Sequence, residues 1–221
     1  GQTERRGLVK SIRTAIERKR IEARERQALL VQIREQAERA KTAEHRSRFL
    51  AKAGRARTDS LDLETTLHAL TRVAVPELAH FCVIDLLGEG GYVRRVAAAH
   101  ADPALQPLLL ETFRCPPELS NPSDPLAIAL QTGAPAIVPL LDEALFGTTS
   151  RGQEQRRLFT ALRLQSLMAV PLLARGRTLG AMTFFSTDAA RGYSSEDLVI
   201  AGDLANQAAL SIDCLLYTSD A

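Results

Sequence analysis

The stretch from Ser166 to Thr187, SLMAVPLLARGRTLGAMTFFST, constrains this chain more than any other. Two apolar runs of strand length flank Ala174-Arg175-Gly176-Arg177, a short polar turn whose glycine is free to take positive φ. Both runs are too apolar to face solvent on two sides, so the hairpin has to lie inside a sheet. Pro171 has no N–H for a ladder hydrogen bond and Gly180 has no side chain to pack. Each therefore marks a bulge or a close approach of neighbouring backbone.

A second hairpin is predicted from His80–Leu87 and Tyr92–His100 around Gly88-Glu89-Gly90-Gly91. This glycine cluster lacks the patterns of nucleotide-binding loops and sits between two strands instead of opening a helix, which argues against phosphate binding. Pairing Leu87 with Tyr92 across a four-residue loop places Asp85 opposite Arg94. Phe81, Val83, Val96, Ala98 and His100 then share their face. The candidate ligand-binding residues are accordingly Asp85, Arg94 and His100. A register slip of one residue sends Arg95 to that face and Arg94 to the other.

The N-terminal part is a different object. From Ser11 to about Leu50 there is no proline or glycine, and charges alternate with apolar residues at helical spacing. Ile12, Ile16, Ala23, Leu30, Ile33, Ala37 and Ala40 fall on heptad a and d positions, interrupted by Lys19, Arg26 and Glu44. The formal net charge of +2 conceals a division. Residues 1–58 carry 17 Lys and Arg against 7 Asp and Glu, and the remainder is acidic. Acidic residues recur through this helix and no aromatic precedes Phe49, so it reads as a solvated linker helix and not as a nucleic-acid surface.

After Gly54, Thr58-Asp59-Ser60-Leu61-Asp62-Leu63-Glu64 supplies N-cap candidates. Leu63, Leu67, Leu70 and Val73 then recur at helical spacing until Pro76. With 221 residues, 45% of them apolar, the chain has material for one domain plus an extension. No apolar run approaches the length of a membrane span, and the N-terminus lacks a secretory signal, so a cytoplasmic location is expected. Cys82, Cys115 and Cys214 show neither a disulfide framework nor the spacing of a zinc site, and no metal site is expected.

The order Ser-x-x-x-Val-Pro-Leu, a basic glycine turn, then Leu-Gly-x-x-x-Phe resembles the closing hairpin of GAF domains, the small-molecule-sensing modules of signalling proteins. The resemblance extends through 78–87, 96–103, Asp124-Pro125-Leu126-Ala127, Gln131-Thr132-Gly133, the strand Ala136–Pro139 and the helix Arg156–Leu164. It implies an α+β fold: an antiparallel sheet of five or six strands with helices on one face and a pocket on the other, preceded by a long coiled-coil-like helix. The implied organisation is a linker helix over 1–55, a GAF domain over 56–213 and a non-native-looking tail over 214–221. The chain departs from the family at Arg163, where a glycine usually precedes the strand. Residues 15–22, AIERKRIE, resemble the helix that follows PAS domains, which implies a PAS-like domain upstream.

The resemblance implies a sensory module of a bacterial signalling protein, forming a homodimer through its N- and C-terminal helices and passing a signal to a kinase, phosphatase or cyclase. The ligand, and any cofactor, is left unspecified. A ligand-free dimerisation spacer is the alternative from another class. A thiol enzyme like the methionine sulfoxide reductases of this fold would use Cys82 and Cys115. Cys115 is followed by Pro116, where bilin-binding relatives commonly carry His, and the Asn-Lys-x-Phe-Asp signature of cyclic-nucleotide binders is absent. Haem would rest on His100 alone. His45 lacks the context of a phosphoacceptor, and no kinase or phosphatase constellation is present.

Overall fold

The computed structural model describes residues 2–58, 62–114, 119, 124–141, 150–188 and 192–219. The chain divides into two compact units, residues 1–48 and 49–221. Helix α1 (Gln2–Thr58) makes up the first and opens the second. It is longer than the predicted span at both ends, since a single glycine such as Gly54 is tolerated inside a helix. Within the first unit Leu29, Leu30, Val31 and Ile33 are all more than half exposed. Ile12 and Ile16, and the His45 side chain, lie outside the described side chains.

The second unit is built on a five-stranded antiparallel sheet in the order β2-β1-β5-β4-β3. The strands are β1 (Phe81–Leu87), β2 (Val93–His100), β3 (Ala136–Val138), β4 (Ser166–Ala174) and β5 (Arg177–Ser186). Both predicted hairpins form. In β4–β5, Arg175 and Gly176 make a two-residue turn with φ of 49° and 75°, the positive pair that twisted hairpins favour. Pairing of β3 with β4 ends at Ala169, so at Pro171 the strand has only β5 beside it and the missing donor is harmless. Gly180 lies at a close approach: a β-carbon there would sit 2.3 Å from the Asp85 carbonyl oxygen. A bulge follows at once, because Leu172 pairs with Gly180 and Leu173 with Thr178, leaving Leu179 over.

One sheet face is covered by α2 (Leu63–Ala74), α6 (Ser195–Ser219) and the last turns of α1. Phe49 and Ala53 of α1, Leu67 and Leu70 of α2, and Leu204 and Ala208 of α6 close over Ile84, Met168, Met182 and Phe184. These side chains are almost fully withdrawn from water, the main source of the unit's stability. Asp62 caps α2, its carboxylate accepting from the Thr65 N–H at 2.9 Å. The chain leaves that helix before Pro76, as its sequence requires.

Over the other face lie α3 (Gln106–Thr112), α4 (Pro125–Thr132) and α5 (Ser150–Ala161). Asp124 caps α4 with Pro125 at its first position, and Gly133 ends it in the left-handed conformation, φ 66°. Leu126, Ala129 and Leu130 pack on Ala169 and Ala181. Helix α6 runs past the expected end near Asp213 to Ser219. Residues 220–221 of the expected tail lie outside the described residues.

Candidate functional site

The face under α3, α4 and α5 is laid out in rows by the strand registers. His100, Phe81, Phe185 and Leu167 form one row, and Ala98, Val83, Thr183 and Ala169 the next. Arg95, Asp85, Ala181 and Pro171 form the third. The first row is bulky, with Phe81 and Phe185 stacked at 5.2 Å between centroids and Phe159 of α5 edge-on to Phe185, also at 5.2 Å. The other two are mostly small. Small side chains beneath helices that cannot descend further leave a cavity of about 30 Å³, lined by Asp85, Arg95, Asp124, Thr183, Phe159 and Phe185 among others.

Asp85 is fully buried, and Arg95 grips it with two parallel hydrogen bonds: Nε donates to Oδ1 at 2.9 Å and Nη2 to Oδ2 at 3.0 Å. Nη1 of Arg95 also donates to the Thr112 carbonyl at 3.3 Å, tying the pair to the end of α3. The third charge is Asp124, whose Oδ1 accepts from the Leu126 N–H at 2.9 Å. Burial pushes the Asp124 carboxyl above its ordinary 3.8; the Leu126 N–H acts against that rise and the nearby Asp85 charge adds to it. Thr183 Oγ1 is buried and has no hydrogen-bond partner among the described residues. Two carboxylates, one guanidinium and an unsatisfied hydroxyl thus surround the cavity, which has room for about one or two waters.

This geometry corrects the expected pairing of Asp85 with Arg94. Asp85 lies opposite Arg95, and Arg94 lies opposite Leu86, exposed and on the other face. Two local features move the register. Tyr92 belongs to the turn, where its carbonyl accepts from Gly88 N at 2.9 Å and its ring occupies the space a β-carbon on Gly88 would fill. Further along, a bulge between Ile84 and Asp85 leaves Val96 without a partner, and Val96 turns to the α2–α6 side instead of sharing the Asp85 face. His100 is on the expected face, opposite Phe81, but lines a different cleft from Asp85. Asp124 and Thr183 were missed as site residues. The Asp-Pro pair ahead of an apolar helical run is the signal that could have placed Asp124 at a helix start.

The sequence profile of the GAF domain family matches residues 60–213. The chain belongs to the GAF domain family. The fold agrees with solved GAF domains. One, from a phosphoenolpyruvate-protein phosphotransferase of Coxiella burnetii, superposes with a TM-score of 0.63 at 14% identity, covering 81% of this chain and 99% of that one. Another, from the corresponding Acinetobacter protein, gives a TM-score of 0.59 at 14% identity over 80% and 98% of the two chains. A domain of a two-component sensor histidine kinase protein from Sinorhizobium meliloti 1021 gives 0.50 at 20% identity, over 70% and 93%. No match is found among curated protein sequences.

In this GAF domain the departure at Arg163 has a structural counterpart: the residue adopts φ 55°, the left-handed region where glycine is at ease. Cys82 faces the α2–α6 core, away from the cavity, and burial, reinforced by the Asp85 charge, pushes its thiol well above its usual value. Neither property suits a nucleophilic cysteine. Cys115 lies outside the described residues, and Cys214 is exposed on α6. Among the described residues no group of His, Cys, Asp and Glu has the arrangement of a metal site, and no helix is long and apolar enough to cross a membrane.

Proposed function

We propose that this GAF domain is the sensory module of a bacterial signal-transduction protein, regulatory and not catalytic in itself. It takes a small polar molecule at the cavity of Asp85, Arg95, Asp124 and Thr183. The observation that carries the reading is the charge balance there: the buried Asp85 and the half-buried Asp124 line one cavity with a single guanidinium, which Asp85 alone holds, beside a hydroxyl with no partner among the described residues. Such a cluster is costly to bury and gains from a ligand that donates hydrogen bonds or brings positive charge. Admitting anything larger than water requires Phe159 or Leu141, which also line the cavity, to move. Movement of the covering helices is then the signal.

The relay in this proposal is a parallel homodimer joined through α1, α2 and α6, within a cytoplasmic protein that has a PAS-like domain upstream and an output domain downstream. Leu30 and Ile33 of α1 support it, being more than half exposed at heptad spacing, and so do the exposed Val199 and Leu210 of α6. One solved relative is named for a sensor histidine kinase protein.

A second reading is favoured by the packing itself. A cavity of about 30 Å³ is well below the roughly 300 Å³ at which ligand pockets begin. On that reading Phe159, Phe185 and Leu167 fill the site and the domain is a dimerisation spacer. Native mass spectrometry of the purified protein tests both: a retained small molecule, lost in Asp85→Asn, supports the sensor, and a bare dimer supports the spacer. A monomer at high concentration by sedimentation overturns the relay in either form.

A further inference from the structure

A second cleft, with no lining residue in common with the first, opens at the outer edge of the sheet beside β2. Its volume is about 540 Å³, within the range of roughly 300–1,000 Å³ typical of small-molecule sites. Three elements converge on it. Helix α2 presents Thr65, His68 and Arg72 along one side, spaced by three and four residues, and β2 ends at its floor with Ala98, Ala99 and His100. Helix α3 and the residue after it supply Leu109, Leu110 and Phe113 as an apolar wall.

The ionisable side chains lining the cleft are all basic. No carboxylate lines it, while Arg72 and the imidazoles of His68 and His100 do. Arg72 Nε donates to the His68 carbonyl at 3.3 Å, which holds the guanidinium near the His68 end of the cleft and leaves Nη1 and Nη2 without a partner among the described residues. The His100 ring is oriented from the other side, its Nδ1 accepting from the Asp102 N–H at 2.9 Å. A neutral imidazole that accepts at Nδ1 carries its proton at Nε2. That nitrogen is buried and has no acceptor among the described residues, an unmade hydrogen bond of the kind a ligand oxygen would complete. On the apolar side, the rings of Phe113 and His68 lie 6.5 Å apart at 30°, a wall suited to a flat group.

We propose that the cleft between α2, the end of β2 and α3 is a second ligand site, taking a small organic carboxylate with an aromatic or branched apolar body. The carboxylate binds Arg72 and the imidazoles of His68 and His100, and the apolar body lies on Leu109, Leu110 and Phe113. Guanidinium and imidazole donors converging beside an apolar wall select for charge and body together. The site is independent of the cavity above Asp85, so neither proposal stands or falls with the other.

Phenylacetate is a suitable probe, with phenylacetamide and 2-phenylethylamine as neutral and cationic controls of the same shape, each titrated into the full chain and followed by two-dimensional amide NMR. Saturable shifts confined to Ala98–His100, α2 and α3 are expected with phenylacetate, with affinity lowered about tenfold or more in Arg72→Gln. Arg72 is exposed, so the variant should melt within a few degrees of the parent. Equal binding of the amide or the amine overturns the proposal, as does unchanged affinity in Arg72→Gln, the absence of saturable shifts, or shifts centred on Asp85 and Thr183.

Discussion

The carboxylate of Asp85 and the guanidinium of Arg95 face one another across neighbouring strands, joined by hydrogen bonds of 2.9 and 3.0 Å, with side chains only 1% and 8% exposed. Removing one member of such a pair strands the other charge in a poorly solvated place. Arg95→Met should therefore cost about 3–5 kcal/mol of unfolding free energy, and Arg94→Ala, exposed on the other face, within about 0.5 kcal/mol. Urea denaturation of the two variants separates them. Similar losses for both would mean the register is misassigned.

Gly180 and Gly202 are predicted to respond to alanine in opposite directions. At Gly180 the new methyl would stand 2.3 Å from the Asp85 carbonyl oxygen, an overpacking worth about 1–3 kcal/mol of destabilisation. At Gly202, inside α6, nothing lies within 4 Å, and Gly202→Ala should gain about 0.5–1 kcal/mol from helix propensity. Thermal unfolding of both variants is the check.

Arg163 is exposed and holds φ 55°. A left-handed conformation costs a residue with a side chain about 1–2 kcal/mol, and glycine gives back part of that gain through its freer unfolded chain. Arg163→Gly should be stabilising by about 0.5–1 kcal/mol, seen as a rise of about 1–4 °C in Tm. A fall in Tm would show that the Arg163 side chain makes a compensating contact.

The raised pKa of Asp124 has a definite sign in stability. A carboxyl whose folded value lies above its unfolded 3.8 favours the native state while protonated, and that contribution is lost as pH rises through the folded value. At pH 7 the buried charge is therefore a burden. Asp124→Asn keeps a side chain able to cap α4 and should be more stable than the parent at pH 7, the advantage shrinking as pH falls toward 3.8. Equal pH dependence in the two proteins would contradict this.

His100 runs the other way. Burial lowers its value below the ordinary 6.5 and the His80 charge adds to the shift, while the Asp102 charge acts against it. Its contribution to stability is complete above pH 6.5 and declines as pH falls through the lowered native value. His100→Gln should abolish that segment of the pH–stability curve. Ring titration followed by NMR should give a midpoint below 6.5.

Both hairpins and the capped start of α2 were legible because each has a local cause: alternating or continuous apolar runs, turn glycines, and an Asp ahead of a helical run. The register of the β1–β2 hairpin was not, because it depends on two events that leave little mark in sequence, the first of which sets the Asp85 partner. Tyr92 has the composition of a strand residue and yet belongs to the turn, and Val96 is left over at a bulge within a uniformly apolar run. Each displaces the register by one residue, and one residue exchanges faces. Thr183 and Asp124 belong to the cavity through tertiary packing, as their separation along the chain offers no periodicity linking them to Asp85.

The close approach at Gly180 also bears on how such a domain is inherited. Backbone from the Asp85 residue fills the space that any side chain at 180 would need, so position 180 is held to glycine whatever side chain stands at 85. A lineage that acquires a β-carbon at 180 must push β1 away from β5, and the first feature lost is the placement of the acid opposite its arginine. Descendants that keep the acid opposite its arginine should therefore keep the glycine, whereas those that lose the acid have no reason to lose the glycine with it. The buried ion pair is thus inherited on the condition of a residue that carries no charge and no side chain.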